Sequence, residues 1–291
     1  MSNRDFNRFR ELIYNTCGIH LTSIKKTMLS SRLRKRLRLL GMDSFSEYYD
    51  YLSGTKSESS ELGHMIDAVS TNKTDFFREP KHFEYLTNEV LPRMCRSGWW
   101  RPGRQLNIWS AGCSSGEEPY TIAMILADFA TRNRVGEFSI LASDISTRML
   151  DKARKAIYPE DAVEPVPDGL KRKYLMRGKC SQKGFCRVVP ELRTNLQFQR
   201  INLNEGSHFG IRTTMDIIFC RNVIIYFDRE TQKRLFEKFY EQLLPGGYLF
   251  IGHSETLHGI NDQFRAVAVA SYRKPGGRYW LRETGYGPEP G

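Results

Sequence analysis

A glycine-containing turn between an apolar run and a helix pattern constrains the fold more than any other stretch. Residues 106–120 read LNIWSAGCSSGEEPY, with Gly112 and Gly116 between the two patterns. Glycine adopts positive φ at low cost and lets a ligand approach the backbone, and the first N–H groups of a helix are free to bind that ligand. The spacing predicts a strand, a tight turn and a helix. An ordinary strand-to-helix turn without a ligand fits these residues equally well.

Strand and helix patterns alternate after this turn, which is typical of a parallel sheet with crossover helices. We predict strands at 106–110 and 138–143 and helices at 120–132 and 147–156. The pattern resumes later with an apolar run at 215–227, a helix at 229–243, a Pro-Gly-Gly turn at 245–247, a strand at 248–252, and an antiparallel edge from 264–270 and 271–275.

The alternation breaks between residues 158 and 200. This stretch contains Pro159, Pro165 and Pro167, a glycine turn at 178–184, and short β-like runs at 185–189 and 196–200. We predict a small inserted antiparallel β-subdomain over residues 157–200. Insertions outside a sheet usually carry recognition, so we expect that role here.

The chain before the turn has a different character. Residues 1–70 predict an all-helical domain with helices at 5–17, 28–40, 44–52 and 59–69. Residues 71–105 predict a linker with a connecting helix, 106–275 the sheet-containing domain, and the glycine- and proline-rich residues 276–291 a disordered tail.

The second predicted helix is strongly basic on one side. Leucines recur at 29, 33, 37 and 40 on one face, and no acidic residue occurs between Lys25 and Met42. This pattern predicts a concentrated positive field, which fits either a solvated face or a docking surface for an acidic partner. The cations opposite the leucines are Arg34, Lys35 and Arg38, and those flanking them are Arg32 and Arg36.

Composition limits the class of protein and its partners. The net charge of +11 and the pI near 9.4 predict a polyanionic partner: nucleic acid, an anionic membrane surface or an acidic protein face. The six cysteines form no CxxC pair and no Cys/His cluster at metal spacing, so we predict reduced thiols and no metal site. The sequence has no membrane-spanning apolar run and no signal peptide, which predicts a cytoplasmic protein without membrane insertion.

Polar residues follow several of the predicted strands. Asp144 follows the second strand, Asn202 and Leu203 follow the insertion, and Arg221 and Asn222 end the next apolar run. Ligands of open α/β sheets bind at this carboxyl edge, which predicts an adenosine-containing ligand there. The turn spells neither the GxGxxG of dehydrogenases nor a P-loop. A helix cap is the alternative role for Asp144, and also for Thr74 in the linker.

Five stretches resemble, in order, those of CheR, the chemotaxis receptor methyltransferase family. They are residues 70–79 (STNKTDFFRE), 109–120 (WSAGCSSGEEPY), 142–146 (ASDIS), 220–227 (CRNVIIYF) and 245–255 (PGGYLFIGHSE). The resemblance covers residues 1–275. It implies a class I methyltransferase: a Rossmann-like α/β fold with a seven-stranded mixed sheet, an N-terminal helical domain and the inserted β-subdomain.

The resemblance implies an activity and a donor site. The enzyme would transfer a methyl group from S-adenosylmethionine to receptor glutamate side chains, giving γ-glutamyl methyl esters for sensory adaptation and S-adenosylhomocysteine as product. Arg78 would pair with the methionyl carboxylate of the donor and Asp144 would accept from its ribose hydroxyls. The implied donor-binding residues are Asn72, Thr74, Arg78, Gly112, Glu118, Asp144, Asn202, Leu203, Arg221 and Asn222.

Two residues are candidates for action on the acceptor. Tyr226 would shape the acceptor pocket, with packing in the core as the alternative. Arg221 would help to steer the acceptor carboxylate.

The resemblance also implies partners. Acidic helical bundles of the receptors would dock on Arg32, Arg34, Lys35, Arg36 and Arg38, and the inserted unit, with its turn at 177–184, would hold a receptor C-terminal peptide with moderate affinity at best. We expect a monomer that binds no nucleic acid. A nucleic-acid methyltransferase is disfavoured because Cys220–Val223 stands where such enzymes carry an Asp/Asn-Pro-Pro-aromatic motif. A non-catalytic receptor-binding module remains as the other alternative.

Overall fold

A seven-stranded mixed sheet forms the centre of the molecule. The computed structural model describes residues 1–54 and 59–276, so residues 277–291 of the predicted tail lie outside the described residues. The strand order is β6-β2-β1-β7-β8-β10-β9. The strands are β1 Leu106–Ala111, β2 Phe138–Asp144, β6 Leu196–Arg200, β7 Met215–Cys220, β8 Leu243–Ile251, β9 Arg265–Ala268 and β10 Ser271–Arg273.

Five strands are parallel, and β10 pairs antiparallel with both β8 and β9. The parallel strands are covered on both faces, which explains why β7 is buried at every position. One apolar cluster contains Trp100, Tyr120 and Phe219, and the cluster on the other face contains Trp109 and Phe239. The predicted fold class is confirmed.

A smaller sheet lies between β2 and β6 in the chain. Its strands are antiparallel in the order β3-β5-β4: β3 Ile157–Pro159, β4 Leu175–Arg177 and β5 Phe185–Val188. The assignment of residues 196–200 to this unit is wrong, because β6 pairs in parallel with β2 and forms an edge of the large sheet. A short run without an alternating pattern does not reveal its pairing partner.

A second correction concerns the Pro-Gly-Gly turn at 245–247. These residues lie inside β8, where the pairing with β7 shifts from Met215↔Leu243 to Ile217↔Tyr248. Gly246 has φ of 88°, so the glycines accommodate a bulge in a continuous strand.

The helices cover the large sheet and form the N-terminal part. Residues 80–96 form one helical segment that includes a π-helical stretch, Leu86–Val90. The α-helices are α1 Asn3–Cys17, α2 Lys26–Leu40, α3 Phe45–Ser53, α4 Ser59–Val69, α5 Pro80–Tyr85, α6 Leu91–Arg96, α7 Glu117–Asn133, α8 Thr147–Lys155, α9 Asp168–Tyr174, α10 Pro190–Arg193 and α11 Arg229–Gln242. None of these helices of the described residues is long and apolar enough to cross a membrane.

The N-terminal helices pack around their own core. Leu29, Leu33 and Leu37 of α2 are buried in it with Phe9 and Tyr48, as the leucine spacing predicts. Ser2 caps α1 in a capping box with Asp5, and Gly18 ends that helix in the left-handed conformation.

Polar contacts join this helical part to the carboxyl edge of the sheet. The Asn202 amide donates to the carbonyl of Thr16 at 2.6 Å, and the N–H of His20 donates to the carbonyl of Tyr226 at 2.8 Å. The Tyr14 hydroxyl donates to Asp228 at 2.7 Å. These contacts hold the helical part over the strand ends.

A buried carboxylate at the start of β7 ties the linker to the sheet. Asp216 accepts from the Trp99 indole at 2.5 Å, the Arg104 guanidinium at 3.0 Å and the N–H of Asn107 at 2.7 Å. Burial raises the pKa of Asp216, although the N–H of Asn107 and the Trp99 indole oppose that rise. The Asp216 side chain therefore accepts hydrogen bonds from three residues of the segment 99–107.

We expect Asp216→Asn to lower the free energy of unfolding by about 2–4 kcal/mol. The NH₂ group of the new amide would face other N–H groups, and Arg104 would lose its charged partner. Chemical denaturation measures the change. Asp151→Asn is the control, since Asp151 pairs with Arg154 at the exposed surface and its loss should cost about 0–1 kcal/mol. Equal losses in the two variants would contradict the structural role of Asp216.

Candidate functional site

A cavity of about 330 Å³ lies at the carboxyl ends of β1, β2 and β7. Ligand pockets usually measure about 300–1,000 Å³, so its size suits a small ligand. The N-terminal helical part and the linker form its other walls through residues such as Ile19, Met28 and Thr71. All ten residues predicted to bind the donor line it, as does Tyr226.

The glycine turn forms one wall of the cavity. Gly112 has φ of 84° and Gly116 has φ of 101°, so both occupy the left-handed region, as the sequence predicts. A Cβ on Gly112 would lie 2.4 Å from Cγ2 of Val223. The N–H groups of Gly112 and Cys113 both donate to the carbonyl of Ser143, which fixes the turn against the end of β2.

Asp144 ends β2 beside this turn. Its carboxylate accepts from the N–H of Ser114 at 2.8 Å and from the N–H of Ser146 at 2.9 Å. The residue that caps α8 is Ser146, whose hydroxyl accepts from the N–H of Met149. Asp144 is therefore not the helix cap. Burial raises the pKa of Asp144, and the two N–H donors oppose that rise.

Glu118 lies on the first turn of α7. Its carboxylate accepts from the Ser110 hydroxyl at 2.6 Å and from Nη1 of Arg221 at 3.2 Å. Burial raises the pKa of Glu118, while the positive charge of Arg221 acts in the opposite direction. The cavity thus has an acidic group at this wall whose charge depends on its arginine partner.

Arg221 directly follows β7 and lies between two carboxylates. Besides Glu118, its guanidinium contacts Glu79 at 3.1 Å, and its side chain is 2% exposed. Its Nε is buried and has no hydrogen-bond partner among the described residues. The positive charge of Arg221 is therefore compensated within the protein.

The linker supplies Asn72, Thr74 and Arg78 from a stretch without regular structure. The carbonyl of Asn72 accepts from the Ser114 hydroxyl at 2.8 Å, and the Arg78 guanidinium donates to the carbonyl of Lys73 at 2.9 Å. Thr74 precedes α5 by several residues and does not cap it, since the residue before α5 is Glu79. The alternative role of Thr74 as a helix cap is wrong.

Several residues of the site are absent from the sequence predictions. Lys25 lines the cavity, and its Nζ lies 5.7 Å from the centre of the Tyr226 ring. Glu255 accepts from the N–H groups of Gly252 and Asn222 at 2.5 and 3.1 Å. The resembling stretches 70–79 and 245–255 contain Glu79 and Glu255, so position in a motif was an available signal for these two. Nothing in the sequence places Lys25 beside Tyr226.

The five cations of α2 that the sequence analysis assigns to receptor docking fall into two groups. Arg34, Lys35 and Arg38 are exposed. Arg32 donates to the carbonyls of Val69 and Ser70, and Arg36 binds both carboxylate oxygens of Glu61 at 3.1 and 2.5 Å. The acidic partner of Arg36 comes from α4, which is distant in sequence. The lack of acidic residues near α2 in the sequence therefore does not mean that all its cations are unpaired.

The site's composition agrees with the comparison to known families. The model described as "CheR methyltransferase, SAM binding domain" matches residues 72–273, and the model "CheR methyltransferase, all-alpha domain" matches residues 4–70. The chain belongs to the CheR methyltransferase family. It is an S-adenosylmethionine-dependent methyltransferase.

Curated relatives cover nearly the whole chain. A "Chemotaxis protein methyltransferase" of Borreliella burgdorferi is 41% identical over 93% of this chain and 94% of its own length. "Chemotaxis protein methyltransferase 2" of Pseudomonas aeruginosa is 41% identical over 92% of both chains. The Escherichia coli "Chemotaxis protein methyltransferase" is 38% identical over 91% of this chain and 88% of its own.

The residues of the cavity fit S-adenosylmethionine chemically. The donor carries hydroxyl groups, an α-carboxylate and cationic groups, and the lining offers the Asp144 carboxylate, the half-buried Arg78 and the carboxylate of Glu118. The turn at Gly112 lets the backbone approach a ligand closely. When bound, the donor supplies an electrophilic methyl group on a sulfonium.

We expect Gly112→Ala to weaken binding of S-adenosylhomocysteine about tenfold or more, because the added Cβ would push Val223 against the cavity. Isothermal titration calorimetry measures this affinity. Gly103→Ala is the matched control: Gly103 has φ of 80° but open space around a Cβ, so it would show the backbone strain of about 1 kcal/mol without loss of affinity. Equal affinities in the two variants would refute the close approach at Gly112.

Proposed function

We propose that this chain methylates glutamate side chains of chemotaxis receptors, using S-adenosylmethionine and forming γ-glutamyl methyl esters. The observation that carries the proposal is the single cavity lined by all ten predicted donor-binding residues, in a chain whose curated relatives are named chemotaxis protein methyltransferases.

Methyl transfer to a glutamate carboxylate requires little acid–base catalysis from the protein. A glutamate with an ordinary pKa near 4.3 is an anion at neutral pH and is already a nucleophile, so no general base is required. The protein must align this carboxylate with the reacting methyl group and remove the water that weakens the nucleophile. The enclosure of the cavity by both the helical part and the sheet supports that role.

Tyr226 is our candidate for shaping the acceptor side of the cavity. It is half-buried, lines the cavity, and belongs to none of the apolar clusters among the described residues, which favours the pocket over core packing. Lys25 beside its ring adds a positive charge that attracts an acceptor carboxylate. Arg221 takes part through the ion pairs that hold it at the cavity wall.

The organisation of the chain supports the same proposal. We propose a helical domain at 1–70, a linker and connecting helix at 71–105, and a methyltransferase domain at 106–275 that carries the small sheet. Such an enzyme would work as a cytoplasmic monomer on receptors whose methylation helices face the cytoplasm.

Release of methanol after mild base treatment tests the proposed ester. With labelled donor and receptor-rich membranes, we expect base-labile label in the receptor, because esters hydrolyse and N-methyl groups do not. Asp144→Asn should reduce incorporation at least about tenfold, since the neutral amide accepts less strongly from donor hydroxyls. Base-stable label would favour methylation of another atom, and donor binding without any incorporation would favour a non-catalytic module.

The exposed cations of α2 form the proposed receptor-docking surface. Arg34, Lys35 and Arg38 point away from the leucine face and are exposed. Arg32 and Arg36, which the sequence groups with them, contribute mainly to holding α2 against the linker and α4. An acidic helical bundle would meet the three exposed charges, with affinity that falls as salt rises.

Charge reversal tests this surface. We expect replacement of Arg34, Lys35 and Arg38 by Glu to raise the KM for receptor about tenfold or more and to reduce its dependence on salt. The donor KM should stay unchanged. A control with the same change in net charge replaces the exposed Arg212, Lys233 and Arg265 by Glu, and similar receptor KM values for the two triple variants would refute docking on α2.

The small sheet is the proposed site for a receptor C-terminal peptide. Its β4 is an edge strand whose second and third residues are exposed, and an edge strand offers free backbone groups to an extended peptide. The tether would raise the local concentration of enzyme near the receptor.

A further inference from the structure

We propose that Glu79 is a positioning residue for methyl transfer, holding Arg221 and Asn222 in the orientation in which they line the donor cavity. Glu79 itself is not among the residues that line the cavity. It therefore acts through its neighbours. The inference concerns the donor site and does not depend on which acceptor the enzyme methylates.

The carboxylate of Glu79 accepts hydrogen bonds from residues at the ends of two strands. It accepts from Nη2 of Arg221 at 3.1 Å and from the side-chain amide of Asn222 at 3.1 Å, both at the end of β7. The N–H of His253, just after β8, lies 3.3 Å from each oxygen. One side chain of the linker thus fixes two cavity residues to the neighbouring strand end.

The contact with Asn222 also fixes which way its amide points. A carboxylate can only accept a hydrogen bond, so the NH₂ group of Asn222 must face Glu79. The carbonyl oxygen of the amide is then left as an acceptor on the other side. The backbone N–H of Asn222 is held separately by Glu255 at 3.1 Å, so the side chain is the part that depends on Glu79.

The contact with Arg221 completes its charge compensation. Arg221 also donates to the carbonyl of Arg78, the residue before Glu79. Two consecutive linker residues therefore bind the guanidinium. Without Glu79, the guanidinium would keep Glu118 as its one acidic partner in the described residues. The Arg221 side chain is only 2% exposed, so after the loss of Glu79 its guanidinium would shift toward Glu118.

The backbone of Glu79 is itself strained. Its φ of 55° lies in the left-handed region, where a non-glycine residue costs about 1 kcal/mol or more. Such a conformation persists only when surrounding contacts hold it. Burial acts to raise the pKa of Glu79, but the hydrogen bond from Asn222 and the charge of Arg221 outweigh it and the pKa is lowered, so the carboxylate is charged at neutral pH.

A metal site is the competing interpretation of these residues. Glu79, His82 and His253 offer ligand atoms that all lie within 4.8 Å of one another. Within residues 1–54 and 59–276, neither ring nitrogen of the buried His82 has a hydrogen-bond partner, and its Nδ1 lies 3.4 Å from Oε2 of Glu79. The Arg221 guanidinium already provides the positive charge at Glu79, and both oxygens of Glu79 accept N–H groups. A second cation would be repelled there, which favours the positioning role.

The test is binding of S-adenosylhomocysteine to Glu79→Gln by calorimetry, without receptor. One amide oxygen cannot satisfy three donors, so we expect the dissociation constant to rise about tenfold or more. In methylation assays the donor KM should rise by a similar factor, and kcat should change less. Glu79→Asp keeps the charge with a shorter reach, and we expect it to recover part of the lost affinity.

Matched variants separate positioning from general destabilisation. Asp216→Asn removes another buried carboxylate with three donors, and it should lower the melting temperature while leaving the affinity within about twofold. In a double-mutant cycle, Asn222→Ala should weaken binding less in the Glu79→Gln background than in the wild type, because Glu79 acts partly through Asn222.

Three results would overturn the proposal. The first is a folded Glu79→Gln protein whose affinity stays within about twofold of the wild type. The second is strictly additive loss in the cycle with Asn222→Ala. The third is a wild-type affinity that falls after dialysis against EDTA and returns with Zn²⁺, since that would make Glu79 a metal ligand.

Discussion

The parallel pairing of β1 with both β2 and β7 is the constraint on which the site depends. It places the carboxyl ends of three strands at one edge of the sheet. The central strand β1 has β2 on one side and β7 on the other, and ligands of open α/β sheets bind at such a point. The glycine turn follows β1 directly, Asp144 is the last residue of β2, and Arg221 follows β7 directly. Residues far apart in sequence therefore meet because the sheet fixes the positions of the strand ends.

The helical part and the linker turn this open edge into a cavity. Contacts from Thr16 and His20 reach Asn202 and Tyr226, and the Ser114 hydroxyl holds the linker at Asn72. An α/β sheet alone would leave the strand ends open to water. Closure matters here because exclusion of water is one of the two things that this reaction requires of the protein.

The charges at the site are arranged in compensated pairs. Arg221 lies between Glu79 and Glu118, and Asp144 is stabilised by two backbone N–H groups. A buried charge without partners is costly. Burial raises the pKa of Glu118 and of Asp144, and the charge of Arg221 and the two N–H groups oppose that rise. The exposed cations of α2, by contrast, lie at the surface, where their charge would act on the proposed acidic partner at long range.

The sequence by itself determined the α/β fold class and the order of the main elements, because turns and strand ends leave local signals in apolar spacing and glycine position. It supplied the full set of ten residues around the cavity, Asn72, Thr74, Arg78 and Glu118 among them, only through its resemblance to the family. It also assigned the family through stretches such as 109–120. Only the tertiary structure decided that β6 belongs to the large sheet, that Arg36 is neutralised by Glu61, and that Glu79 joins Arg221 to Asn222. These depend on contacts between distant segments, and the geometry of such contacts is set by packing and not by the local spacing of residues.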